Sequence, residues 1–149
     1  MSRYNTLLVA LDLTQDSAQV LSGASKLVTT SSHLHLVHVA EHPVTALGSG
    51  TGRNHRHGEL QVRQELFPRL QAYADGMVLP PDHLHILFGD APQEITYLAG
   101  KLGADVIVTG SHGEKGLKRL LGTTATDILH QAACDVLIVR IHEPAQGTT

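Results

Sequence analysis

Short apolar runs and amphipathic helical patterns take turns along the whole chain, and no other feature limits the fold as strongly. Thr6-Leu-Leu-Val-Ala-Leu11 is a continuous apolar run, as expected of a strand covered on both faces. A helical pattern follows Asp12, with Val20, Leu21, Ala24, Leu27 and Val28 on one face. Leu34, Leu36, Val37 and Val39 mark a second strand. His83-Leu-His-Ile-Leu-Phe88 alternates more clearly, as a strand at a sheet edge does. Asp90 and Pro92 suit a helix cap and first turn, and that helix carries Ile95, Leu98, Ala99 and Leu102 before stopping at Gly103. Asp105-Val-Ile-Val-Thr109 is a fourth strand. Ala125, Ile128, Leu129, Ala132 and Ala133 trace the last helix, and Asp135 leads into a fifth strand over 136–141. Strands alternating with helices imply right-handed crossovers and a mostly parallel sheet. The expectation is one doubly wound α/β domain over 1–142, with helices on both faces, then a flexible tail over 143–149.

At 149 residues the chain suits one domain, and 42% hydrophobic against 17% charged residues excludes a disordered segment. No apolar stretch is long enough for a membrane span, and no signal-like start is present. A single cysteine makes no internal disulfide, so a cytoplasmic setting is expected. A net charge of -3 and 3% aromatics argue against a general nucleic-acid binder. Residues 41–58 break the rhythm with Pro43, Gly48, Gly50, Gly52 and Gly58 among Arg53, His55, Arg56 and His57. This stretch reads as a mobile surface loop, or more sharply as a lid over the strand ends. A helix resumes near Glu59, with Leu60, Phe67, Leu70 and Ala74 on one side despite Pro68.

The fourth strand runs into Gly110-Ser-His-Gly113-Glu-Lys-Gly-Leu-Lys-Arg-Leu-Leu-Gly122-Thr-Thr124, where a helix begins. Glycines let backbone N–H groups approach an anion, and a helix N-terminus offers unpaired N–H groups with the positive end of its dipole. Thr124 and Asp127 have capping-box spacing. Lys115, Lys118 and Arg119 add positive charge. In an open α/β sheet, ligands bind beyond the carboxyl ends of the strands, where this segment lies. It is either a phosphate-binding loop or ordinary loop glycines before a capped helix. No Walker-type lysine follows the glycines, and no nucleophile elbow is present.

With these residues in view, the chain resembles the universal stress protein family, the UspA-like branch of the adenine-nucleotide-binding α-hydrolase-like proteins. The resemblance spans Leu7-Leu-Val-Ala-Leu-Asp12, Leu36-Val-His-Val39, Gly89-Asp-Ala-Pro92 and the block 105–139. The family motif is glycine, two residues, glycine, nine residues, glycine, then serine or threonine. Gly110 and Gly113 match it, but eight residues separate Gly113 from Gly122. The resemblance implies a five-stranded sheet ordered 3-2-1-4-5, with adenosine over the ends of strands one, two and four. It implies that Asp12 faces the ribose or adenine and that backbone near Ala10 and Val39 meets the base. Leu11 and Thr109 adjoin them, and Gly110, Gly113, Gly122, Thr123 and Thr124 hold phosphates. The implied ligand is ATP, ADP or AMP, with Mg accompanying the nucleotide, in a regulatory role in stress response. It further implies a homodimer paired through the last strand, from Val136 to Ile141, and an unknown protein partner.

Two alternatives stay open: a nucleotide-free dimeric interaction protein of the same family, and a slow ATPase. Hydrolysis needs a metal and a positioned water, and only Asp12 stands out as an acid for that purpose. Asp12 is equally suited to the turn before a helix. His112, between two motif glycines, is a phosphate contact or a solvated residue. His33/His35, His55/His57 and His83/His85 form three His-x-His pairs, but no carboxylate or third histidine joins any of them at recognisable spacing, so no native metal site is expected. Cys134 reads as a buried, inert thiol.

Overall fold

The computed structural model describes residues 4–29, 33–43, 53–111 and 122–142, with side chains of 53–57 left aside. Its elements are β1 (Thr6–Ala10), α1 (Ser17–Ser25), β2 (His33–Ala40), α2 (Arg53–Ala74), a 3-10 turn (Pro81–His83), β3 (Leu84–Phe88), α3 (Ala91–Leu102), β4 (Val106–Gly110), α4 (Thr123–Gln131) and β5 (Asp135–Val139). The strands form one parallel sheet in the order β3-β2-β1-β4-β5. Both the doubly wound class and the strand order agree with expectation.

The period of two along each strand splits the core into two layers. Leu7, Val9, Leu36, Val106 and Val108 face one side, where Val20, Leu21 and Ala24 of α1 and Leu70 and Ala74 of α2 cover them. Leu8, Val37 and Ile107 face the other, against Ile95, Leu98 and Ala99 of α3 and Ile128 of α4. Leu7, Leu8 and Val9 of β1 and Val106, Ile107 and Val108 of β4 are apolar without alternation because both faces of these strands are buried. β3 lies at one edge and alternates buried with half-buried residues; β5 lies at the other edge, largely half-buried.

Asp90 caps α3 by accepting from the Gln93 amide at 3.1 Å, and Gly103 ends it in the left-handed conformation. Asp105 accepts from the amides of Asn5 and Thr6 at 2.7 and 2.9 Å, which sets β1 beside β4.

Several boundaries differ from those read in the sequence. α2 starts at Arg53, six residues before Glu59, so 53–58 are helical rather than loop. The helix also runs through Pro68, which costs about 3 kcal/mol in a helix interior. Buried Leu70 and half-buried Leu66 and Phe67 offset that cost, whereas Leu60 stays exposed, off the packed face. α1 ends at Ser25, leaving Val28 beyond it and partly exposed; α4 ends at Gln131, with Leu129 exposed. β5 stops at Val139 because the chain turns inward, and the Ile141 amide donates to Ser111 Oγ at 2.9 Å instead of continuing the ladder.

Candidate functional site

A cavity of about 450 Å³ opens beyond the carboxyl ends of β1, β2 and β4, where an open parallel sheet binds its ligands. Ala10, Leu11, Asp12, Val39, Thr109, Gly110 and Thr124 all line it, together with Val37, His38 and Ile95. The sheet brings them together because β1 has β2 on one side and β4 on the other. Gly122 and Thr123 lie just outside this lining. Gly113, His112, Lys115, Lys118 and Arg119, with Gly48, Gly50 and Gly52 of the first loop, lie outside the described residues.

The floor and one wall are built on the turn after β1. Asp12 Oδ1 accepts from Thr14 N at 3.0 Å, Thr14 Oγ1 at 2.7 Å and Ser17 Oγ at 3.2 Å. This is an Asx turn that ties the strand end to the start of α1. Asp12 therefore fills its turn role, and among the described residues Oδ2 takes no hydrogen bond. The next residue, Leu13, has φ +62°, a left-handed backbone unusual for a branched apolar side chain. Burial of Leu13 and two contacts from α2 hold it there: Arg69 Nη2 donates to the Leu13 carbonyl and Tyr73 Oη to the Thr14 carbonyl, each at 3.0 Å. On the β2 side His38 Nδ1 donates to the Leu11 carbonyl at 2.8 Å, which leaves Nε2 as an acceptor when the ring is neutral.

The wall at β4 is set by Ser111. Its amide donates to the Val139 carbonyl at 2.8 Å, its Oγ receives the Ile141 amide, and its carbonyl receives the Gly122 amide at 2.7 Å. Ser111 and Gly122 are therefore bonded to each other at the end of β4. A Cβ on Gly110 would lie 3.1 Å from Val20 Cγ2 and 3.4 Å from Ile141 Cδ1, so close packing by itself favours a small residue there. Gly122 is the N-cap of α4, in extended conformation and without a side-chain cap. Thr124 is consequently the second residue inside the helix, and the capping box read from Thr124 and Asp127 does not form; the cap position falls two residues earlier. The first-turn amides of α4 have no helical carbonyl to bond, and Thr124 of that turn lines the cavity.

The family model described as "Universal stress protein family" matches residues 3–140. The chain belongs to the universal stress protein family. Universal stress protein A homolog 1 of Coxiella burnetii is 35% identical over 142 residues, covering 94% of this chain and 99% of that protein. Among solved structures, MJ0577 superposes with a TM-score of 0.73 at 19% identity, covering 95% of this chain and 99% of that one. A universal stress protein in complex with cAMP gives 0.63 at 18% identity, covering 92% and 97%. The universal stress protein from Archaeoglobus fulgidus in complex with dAMP gives 0.59 at 19% identity, covering 93% and 99%.

In this universal stress protein, sequence reading missed Leu13, His38, Arg69 and Tyr73. His38 lies inside the quoted Leu36-Val-His-Val39 and Leu13 directly follows Asp12, whereas Arg69 and Tyr73 are far from any motif. The described rim carries Asp12, Asp16 and Glu41, and among the described residues the positive charge offered to an anion is that of the α4 dipole. Among the described residues no three of His, Cys, Asp or Glu are placed to hold one metal ion, and no helix is long and apolar enough to cross a membrane. Cys134 is half-buried; burial pushes its thiol pKa up, and Asp135 beside it pushes further the same way.

Proposed function

We propose that this universal stress protein binds ATP or a related adenine nucleotide as a regulatory ligand in the cavity beyond β1, β2 and β4. The observation that carries the reading is the convergence of Ala10, Asp12, Val39, Thr109, Gly110 and Thr124 on one cavity that also lies against the start of α4. The apolar part, with Val37, Val39 and Ile95, suits a purine; Asp12 Oδ2 suits ribose hydroxyls as an acceptor; the first-turn amides of α4 suit phosphate oxygens. Two fold relatives are held in complex with cAMP and dAMP, ligands of the same chemical class. Mg enters with the phosphates, since the described carboxylates form no three-ligand set.

In this reading the protein works in the cytoplasm as a dimer joined along β5, the half-buried sheet edge, and nucleotide occupancy shifts which protein partner is bound. The test is mass spectrometry of what freshly purified protein releases on denaturation, backed by ATP titration. Stoichiometric adenine nucleotide is expected, and Gly113→Val should abolish binding with the fold intact. Empty protein without saturable ATP binding would leave a dimeric interaction module in its place.

A further inference from the structure

The four histidines of two His-x-His pairs, fifty residues apart in sequence, come together at the amino end of β2 and β3. Sequence spacing placed them apart, but the parallel register pairs Leu36 with Leu84 and Val37 with His85, which sets His35 opposite His83. The His35 and His83 rings stack with centroids 3.9 Å apart and 17° between planes. His35 Nδ1 and His85 Nε2 are 3.0 Å apart, and the His33 and His83 ring centroids are 6.4 Å apart. His83 Nδ1 donates to the Leu34 carbonyl at 2.9 Å. The bond between His35 and His85 needs one N–H and one lone pair, so it exists only while at least one ring is neutral.

We propose that this histidine cluster is an acid-released latch on the free sheet edge, holding β3 to β2 when neutral and letting β3 detach when protons are taken up. His35 is 9% exposed and its ring is packed between two other imidazoles. The groups acting on it are His33 of β2, His83 and Asp82 of the 3-10 turn, and His85 of β3; only Asp82 favours a positive charge, and among the described residues α3 contributes none. Burial, then His83 and His85, lower its pKa from 6.5 to about 4, and burial and His83 also lower that of His85. A pKa below its unfolded value means stability that is complete above pH 6.5 and lost as the pH falls toward 4. β3 is the element released because it is an edge strand that, among the described residues, forms its ladder with β2 alone.

Amide hydrogen exchange at about pH 7.5 and about pH 5, corrected for intrinsic rates, tests this. Protection of Ile86 and Leu87 in β3 should fall roughly thirtyfold, the ratio expected for one histidine moving from pKa 4 to 6.5 on opening, while Ile107 and Val108 of β4 keep theirs. In His35→Phe the acid loss in β3 should largely disappear. Equal loss in β3 and β4, no loss in β3, or an unchanged loss in His35→Phe would each overturn the latch. Should His35→Phe fail to fold, the wild-type His35 ring followed by NMR decides: titration near 6.5 overturns the proposal, and titration well below it supports it.

Discussion

The amide of Gly122 donates to the carbonyl of Ser111 at 2.7 Å, so the chain returns to the end of β4 before α4 begins. Ser111 is itself fixed through Val139 and Ile141, the residues at and after the end of β5. Backbone bonds thereby tie the start of α4 to the end of β4. In the proposed nucleotide reading, Ser111 sets where the first turn of α4 meets the phosphates.

Asp12 separates the turn role from the ligand role. Asp12→Asn keeps an oxygen for Thr14 and Ser17 and should leave stability within about 0.5 kcal/mol, while removing the charge offered to ribose. Asp12→Ala should cost about 1–2 kcal/mol. Chemical unfolding and ATP titration check both: an Asn variant with unchanged affinity would confine Asp12 to the turn.

Glycines of similar sequence appearance should respond in opposite directions. Gly110→Val drives a branched side chain against Val20 and Ile141 and should destabilise by about 1–3 kcal/mol. Gly100, exposed within α3 with nothing within 4 Å of its Cβ position, should gain about 0.5–1 kcal/mol as alanine. Urea midpoints compare them directly, and a harmless Gly110→Val would contradict the packing.

Tyr73→Phe removes the donor to the Thr14 carbonyl while keeping the ring packed against the core. A loss of about 1 kcal/mol is expected, with weaker ATP binding because the turn after β1 loosens. An affinity equal to wild type would show that α2 does not support the site.

Cys134 should alkylate more slowly than a free thiol at mildly alkaline pH, because burial and Asp135 raise its pKa and shrink the thiolate fraction. Iodoacetamide labelling followed by mass spectrometry measures the rate. Labelling at the rate of an unhindered cysteine would rule out the shielding.

Much of the fold was readable because the signals are local. The apolar runs of β1 and β4, the alternation of β3, and Asp90 and Gly103 at the ends of α3 each depend on neighbours a few residues away. The start of α2 was missed because polar and glycine-rich composition around Arg53 hides a helix that later packing supports. The cap of α4 was misplaced by two residues because Thr124 and Gly122 both suit a helix start, and the bond from Gly122 to Ser111 selects between them.

The sequence alone determined the alternation of strands and helices, the parallel sheet, the family resemblance and part of the cavity lining. Tertiary structure alone decided that Gly110 packs closely against Val20 and Ile141, that Arg69 and Tyr73 hold the turn at Leu13, and that His35 meets His83 and His85. The physical reason is distance along the chain. Periodicity and capping are short-range, whereas strand register and helix packing bring together groups tens of residues apart, and no local pattern encodes which ones will touch.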